Sequence, residues 1–257
     1  MPLNKPKILE IDIETSPHTA YVWGLFKENV PIQRLIETGR VMCFAAKWLG
    51  NKEIHFHSEW NDGHENMINR AHELMSEADG IVHYNGNKFD IPTLNKEFVY
   101  YKIPPAAPVK HIDLYKVVRS SFRFPSNKLD YVSQQLGLGK KASHEGFELW
   151  VKCMNGEEVA QRKMERYNIQ DVRLLESLYK RLLPWIQNHP NYALFNPDIK
   201  RPVCPNCGST HQQSRGYYDT KTMRYQRFQC QKCGTWTRER VNSNTPEQKA
   251  NTRVSVK

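Results

Sequence analysis

Apolar residues recur at strand spacing near the start of the chain. In KILEIDIET, Lys7 to Thr15, Ile8, Leu9, Ile11 and Ile13 predict a β-strand. A period of two puts Asp12 and Glu14 on one side of it, close to its C-terminal end. RVMCFAAKWLG, Arg40 to Gly50, predicts a second strand and KEIHFH, Lys52 to His57, a third, joined as a hairpin through Asn51. Met67, Ile68, Ala71, Leu74 and Met75 fall at helical spacing, so His64 to Ala78 is expected to be a packing helix. A short fourth strand, Gly80 to Gly86, precedes a helix over Phe89 to Tyr101, with Pro92 tolerated in its first turn. A fifth strand, Val109 to Leu114, runs into a helical stretch, and Lys128 to Leu138 forms a helix closed by Gly137 or Gly139. Asn155 is the expected N-cap of a long helix reaching about Ile186, with Pro184 and Pro190 ending it.

This order predicts an α/β domain with a mixed sheet flanked by helices over residues 1–188. The Pro- and Asn-rich stretch 189–202 reads as a linker, 203–240 as a small module, and 241–257 as a disordered polar tail. Trp23, Gly24 and Phe26 sit in an otherwise polar loop, where they either line a cleft or clasp the loop down. No apolar run is long enough for a membrane span, and the N-terminus lacks the apolar segment of a secretion signal, so a cytoplasmic protein is expected. The formal charge of +10 is uneven: residues 198–257 hold 12 Lys+Arg against 4 Asp+Glu. A near-neutral body with a basic C-terminal quarter points to a polyanionic partner. Of the 6 cysteines, Cys43 and Cys153 are expected to be small core residues.

Two more acidic residues can join the pair on the first strand. Asp90 lies where the fourth strand becomes a helix, at the sheet edge where α/β active sites form. Asp171 lies in the long helix, with Tyr167 one turn away on the same face. Convergent carboxylates with no conventional nucleophile suit a pair of Mg²⁺ or Mn²⁺ ions about 3.5–4 Å apart, both of which take oxygen ligands. The chemistry this suits is in-line attack of water on a phosphodiester. Tyr167 would orient the water, because its ordinary pKa, near 10, is too high for a strong base.

The set Asp12-x-Glu14, Asn85 to Phe89-Asp90, and Tyr167-x3-Asp171 resembles the DEDD exonuclease superfamily, whose fold is ribonuclease H-like (DnaQ-like). In particular it resembles the tyrosine-bearing DEDDy branch, which includes the proofreading domains of family B DNA polymerases. The histidine-bearing branch would need His at the position of Arg166. Residues 7–183 carry the resemblance, which implies a metal-dependent 3′–5′ exonuclease acting on nucleic acid, DNA favoured over RNA. It implies that Asp12 bridges both ions, that Glu14 and Asp171 bind the water-side ion, and that Asp90 holds the second largely through waters. It further implies that the backbone near Thr15 and the side chains of Asn85 and Phe89 hold the terminal nucleotide, with core packing the alternative for Phe89. Leu136 to Lys141 resembles a basic turn of the family, so Lys140 and Lys141 either meet phosphate or are solvated. Asp113 is read as structural.

Cys204, Cys207, Cys230 and Cys233 form C-x2-C-x22-C-x2-C, a spacing that suits one structural Zn²⁺ held by four thiolates. The module resembles the zinc ribbons of transposases and other DNA-associated proteins. Its Tyr217, Tyr218, Tyr225 and Phe228 either fill a small core or stack on bases, while Arg215, Lys221, Arg224 and Arg227 are expected to contact phosphates. The leading expectation is a stand-alone exonuclease with a ribbon that grips nucleic acid or docks a protein partner. A structure-selective endonuclease and a catalytically silent nucleic-acid-binding adaptor are the alternatives.

Overall fold

The first strand, β1 (Ile8–Thr15), is the centre of a five-stranded sheet in the computed structural model, which describes residues 5–256. A two-stranded flap follows, β2 (Thr19–Ala20) and β3 (Leu35–Glu37), then β4 (Val41–Trp48), β5 (His55–Ser58) and helix α1 (His64–Glu77). Next come β6 (Gly80–His83), α2 (Asp90–Tyr100), β7 (Lys110–Asp113), α3 (Leu114–Ser121) and α4 (Leu129–Gln135). Helices α5 (Glu148–Met154) and α6 (Glu158–Leu182) close the series. The strand order is β5-β4-β1-β6-β7: β4 is antiparallel to β1 and β5, whereas β1, β6 and β7 are parallel. The sheet is mixed, as the sequence predicts.

The two faces of β1 have different work. Leu9, Ile11 and Ile13 pack on Met67, Ile68 and Leu74 of α1 and on Leu94 and Phe98 of α2. Each such buried side chain is worth roughly 1.5–3 kcal/mol, so this face anchors the strand. Glu10, Asp12 and Glu14 lie on the other face. There Asn168 of α6 donates to the Asp12 carboxylate at 2.7 Å, and Lys47 of β4 pairs with Glu176 of α6. Helices thus cover both sides, and α6 covers the side that carries the carboxylates.

Several expectations are corrected. Asn155 does not cap the long helix. It ends α5, its N–H bonding to Val151 and Cys153 carbonyls, and Gly156 at φ 81° breaks the chain before α6 begins. Trp23 is 90% exposed and Phe26 is exposed with it, so neither clasps its loop. That loop is held by Glu28, which pairs with Arg34 and accepts from the Gly24 N–H.

The chain divides into two compact units, Lys7–Lys180 and the segment from Arg181 onward. The second holds an antiparallel sheet, β8 (Gln212–Asp219), β9 (Arg224–Cys230) and β10 (Trp236–Arg238), and helix α7 (Pro246–Asn251). Stretch 189–202, expected to be a linker, belongs to this unit. It carries a 3-10 turn at Tyr192–Phe195, the Tyr192 N–H bonds the Pro205 carbonyl at 3.0 Å, and Asn206 bonds the Leu183 and Ile186 carbonyls. The stretch expected to be a disordered tail contains α7, which a Thr245–Gln248 capping box starts. The tail is also tied to β9, through the Ser243 N–H to the Arg224 carbonyl. Among the described residues, no helix is long and apolar enough to cross a membrane.

Candidate active site

The geometry of the site begins with an edge left open in the sheet. β6 pairs with β1 only as far as Glu10↔Val82 and then turns away at Asn85–Gly86. Asn85 adopts φ 66°, and a Cβ at Gly86 would come within 2.5 Å of the His83 ring, so the turn needs glycine there. Asp113 fixes the turn by accepting from the Asn85 N–H at 2.8 Å while also capping α3 through the Tyr115 N–H. The turn delivers Asp90 at the start of α2, where Oδ1 takes up the Ile13 N–H of β1 at 3.3 Å.

Asp12 and Glu14 project from β1, and Asp171 projects from α6 towards them. One oxygen from each of the three lies within 4.8 Å of the others, and Asp90 adjoins this cluster through its bond to Ile13. Between Glu14 and Thr15 the β1–β4 register shifts, an irregularity of the kind that re-aims side chains beside active sites. Tyr167 sits one helical turn from Asp171. His144 and Trp150 stand edge-on to its ring, at 4.8 and 5.9 Å between centroids. Trp150 Nε1 also donates to Glu14 at 3.2 Å.

Charge is crowded here. Desolvation and then the charges of Asp171, Asp90 and Glu14 raise Asp12 well above the usual carboxylate range. Burial chiefly lifts Glu14 to about 8 and Asp90 to about 6, and Asp171 is also raised, with Lys141 opposing the rise. Burial likewise raises the Tyr167 phenol, helped by Asp171, so it keeps its proton at neutral pH. The cation drawn into the cluster is Lys141. Its Nζ donates to Asp171 at 2.5 Å and to the Tyr167 hydroxyl at 2.9 Å. Burial works against its charge, but Asp171, Tyr167 and Asp12 outweigh that and hold the ammonium above the usual lysine range.

A single ammonium cannot neutralise four carboxylates. The donor set is all oxygen, and Asp171 Oδ1 is buried without a hydrogen-bond partner, so the cluster fits hard divalent cations. The four cysteines fit a different ion. Cys204 and Cys233, and Cys207 and Cys230, have sulfurs 3.6 Å apart. A tetrahedron with Zn–S arms of about 2.3 Å has edges of about 3.8 Å. Each C-x2-C pair turns back through a glycine, with Gly208 N–H on the Cys204 carbonyl and Gly234 N–H on that of Cys230, both at 2.9 Å.

The remaining sequence candidates are scattered. Asn85 and Lys141 line a cleft of ≈ 590 Å³ that opens onto Asp12, whereas Thr15 is half-buried at the end of β1. Phe89 is 47% exposed beside Asp90, so it is not a core residue. Lys140 does not line that cleft; it lines a neighbouring basic depression with Lys141, Arg166 and Arg173. Arg215, Arg224 and Arg227 lie in the second unit. Sequence reasoning missed Asn168 and Trp150. The first had a signal, since it adjoins Tyr167 on a helix face that must meet β1. The second sits on a short helix with no periodicity to reveal it.

The model of the RNase_H superfamily matches residues 35–183, a span that includes Asp90, Tyr167 and Asp171. The chain is 28% identical over 203 residues to a DNA polymerase of Thermococcus litoralis, the match covering 69% of this chain and 12% of that protein. It also resembles in fold a family B DNA polymerase from the hyperthermophilic archaeon Pyrobaculum calidifontis. The TM-score is 0.53 at 20% identity, over 70% of this chain and 25% of the other. The chain therefore spans a small part of either relative. The match to the superfamily model covers more than half of the chain, and together with the mixed sheet and the carboxylates gathered at its edge it identifies the chain as a member of the RNase_H superfamily.

Proposed function

We propose that this chain is a divalent-metal-dependent nuclease that removes nucleotides from the 3′ end of a nucleic acid, DNA favoured over RNA. The observation that carries the reading is the convergence of Asp12, Glu14 and Asp171 within 4.8 Å, with the Tyr167 hydroxyl tied to the same group through Lys141. Asp12, Glu14, Asp90 and Asp171 would hold two Mg²⁺ or Mn²⁺ ions. When bound, such ions activate water and stabilise the leaving 3′ oxygen.

The chain's own residues supply orientation and charge. Tyr167, a phenol at neutral pH, hydrogen-bonds the attacking water and fixes its line of approach; it does not act as a strong base. Trp150 and His144 hold the Tyr167 ring and Trp150 orients Glu14, so these two are positioning residues. Lys141 balances Asp171 and stands at the mouth of the cleft, where it can meet a phosphate oxygen. Asn85 and Phe89 would contact the terminal nucleotide. The four thiolates would hold one structural Zn²⁺, and the basic ribbon would raise the local concentration of substrate.

The 3′–5′ direction rests on similarity to the tyrosine-bearing exonucleases, and the choice of DNA on the DNA polymerase relatives. A linear DNA strand labelled at its 5′ end and the same strand covalently closed test the direction, and a 5′-labelled RNA of the same sequence tests the choice of DNA, each incubated with Mg²⁺, with Mn²⁺ and with neither. The expected result is a ladder shortening from the 3′ end and an intact circle. Cleavage of the circle would make the chain an endonuclease, and no metal-dependent cleavage of any of the three would leave it a binding protein.

A further inference from the structure

The ribbon's sheet has two unlike faces. Register pairs Tyr218 with Tyr225, Arg227 with Arg238 and Gln229 with Trp236, and strand alternation puts all six on one side. Phe228, Thr237 and Cys230 occupy the other, where Thr237 bonds Gln212 and Cys230 belongs to the thiolate cluster. On the first side Arg238 lies over the rings of Tyr225 and Tyr218, at 3.9 and 5.9 Å, and Arg227 lies over Trp236 at 4.8 Å. Tyr218 is 48% and Trp236 52% exposed, so these rings stay open to solvent.

The charge arrangement on this face is costly. Like charges directly opposite on neighbouring strands destabilise a sheet, yet Arg227 and Arg238 are opposite each other and no Asp or Glu of the three strands shares their face. The nearest strand carboxylate, Asp219, lies on the other side and is taken by Arg224. Both guanidiniums are already oriented by backbone carbonyls. Arg227 donates twice to Arg215, at 3.1 and 2.9 Å, and Arg238 donates to Glu239 at 2.9 Å. The face is therefore preorganised with rings, planar cations and no countercharge.

We propose that Tyr218, Tyr225 and Trp236, with Arg227 and Arg238, form a stacking platform for the bases of a single-stranded nucleic acid. The ligand must supply both anionic groups and flat π surfaces, and a strand with unpaired bases supplies both, whereas a duplex hides its base faces. An acidic peptide would satisfy the arginines but leave the rings unused. The proposal rests on the reading of the ribbon as a nucleic-acid grip, and it adds the strand type and the mode of contact.

The test uses the full chain carrying Asp12→Ala, to prevent degradation, loaded with zinc and free of chelator. Binding of a labelled oligothymidylate, an abasic strand of equal length and a duplex is measured by anisotropy at several salt concentrations. The wild-type ribbon should prefer oligothymidylate over the other two. Tyr218→Leu and Trp236→Leu, which keep apolar bulk, should each weaken that binding roughly tenfold, within the range for removal of base stacking, and leave abasic binding unchanged. Arg227→Gln with Arg238→Gln should flatten the logarithmic salt slope by about 0.7 for each phosphate no longer neutralised. Zinc content checks each variant's fold; if Trp236→Leu loses zinc, Tyr218→Leu decides. Equal affinity for oligothymidylate and abasic strand, untouched by the ring variants, overturns stacking even if the arginine pair still matters. No response to any ribbon variant overturns the grip as well. Metal-dependent hydrolysis of short strands by the wild-type chain tests the nuclease reading separately: its absence, with the ring variants still weakening binding, would overturn that reading and leave the platform standing.

Discussion

Glu10 offers a test of the sheet–α6 interface that is independent of catalysis. It lies on the same face of β1 as Asp12, is wholly buried, and neither carboxylate oxygen has a hydrogen-bond partner. Burial, then Glu176, pushes its pKa from 4.5 up to about 8, against the opposing charges of Lys47 and Lys180. The sign follows from linkage. The folded carboxyl holds its proton more tightly than the unfolded one, so stability is full below 4.5 and is lost as pH rises through 8. At about 1.4 kcal/mol per pH unit, the full span amounts to roughly 5 kcal/mol, a large share of the ~5–15 kcal/mol of a typical domain. Glu10→Gln keeps the shape and cannot ionise. It should match wild type near pH 4.5 and exceed it by several kcal/mol near pH 9, on the order of the linkage value. Urea midpoints across this range, followed by circular dichroism, give the difference, in which titration of the other carboxylates cancels. Parallel curves for the two proteins would refute the reasoning and mean that Lys47 keeps Glu10 ionised.

Tyr167→Phe preserves ring packing and should slow single-turnover cleavage on the order of 10²-fold, and an unchanged rate would reduce Tyr167 to a packing residue. Lys141→Met leaves Asp171 buried without its cation. Without added metal it should destabilise the protein by about 2 kcal/mol, less than the ~3–5 of a fully buried pair because Lys141 is 31% exposed. Added Mg²⁺ should raise the Tm of Lys141→Met more than that of wild type, and equal shifts would contradict the placement of Lys141 against Asp171. Metal analysis should find one zinc per wild-type chain and substoichiometric zinc in Cys207→Ser; full occupancy in that variant would exclude the four-thiolate site.

The parts legible in the sequence are those where local pattern and tertiary role agree. β1 reads as a strand because Leu9, Ile11 and Ile13 alternate with Glu10, Asp12 and Glu14, one face apolar and the other acidic, and the cysteine spacing is set by the two glycine-turned knuckles themselves. Asp113 could be read as structural, and it caps α3 and braces the Asn85 turn. What escaped depends on long-range contacts or on competing local signals. Asn155 is a residue type that suits either end of a helix, and Gly156 decides which. The 189–202 stretch looks flexible by composition, but the Tyr192 N–H ties it to Pro205, and Asn206 ties its two flanks together through Leu183 and Ile186, contacts no composition records. The Thr245–Gln248 capping box is written in the sequence but is outweighed there by the polarity around it. Lys141 is visible only as a basic turn residue, because its partner Asp171 lies 30 residues away.

If the carboxylates gathered on β1 and α6 form a metal-dependent cleavage centre, cleavage must need both the divalent metal and Asp12. The most direct measurement follows degradation of a 5′-labelled single strand by wild type and by Asp12→Ala, each with Mg²⁺, with Mn²⁺ and without added metal, circular dichroism confirming that both are folded. Wild type should cleave only with metal, and Asp12→Ala should fall to background under every condition. Near-normal turnover by folded Asp12→Ala would contradict the account.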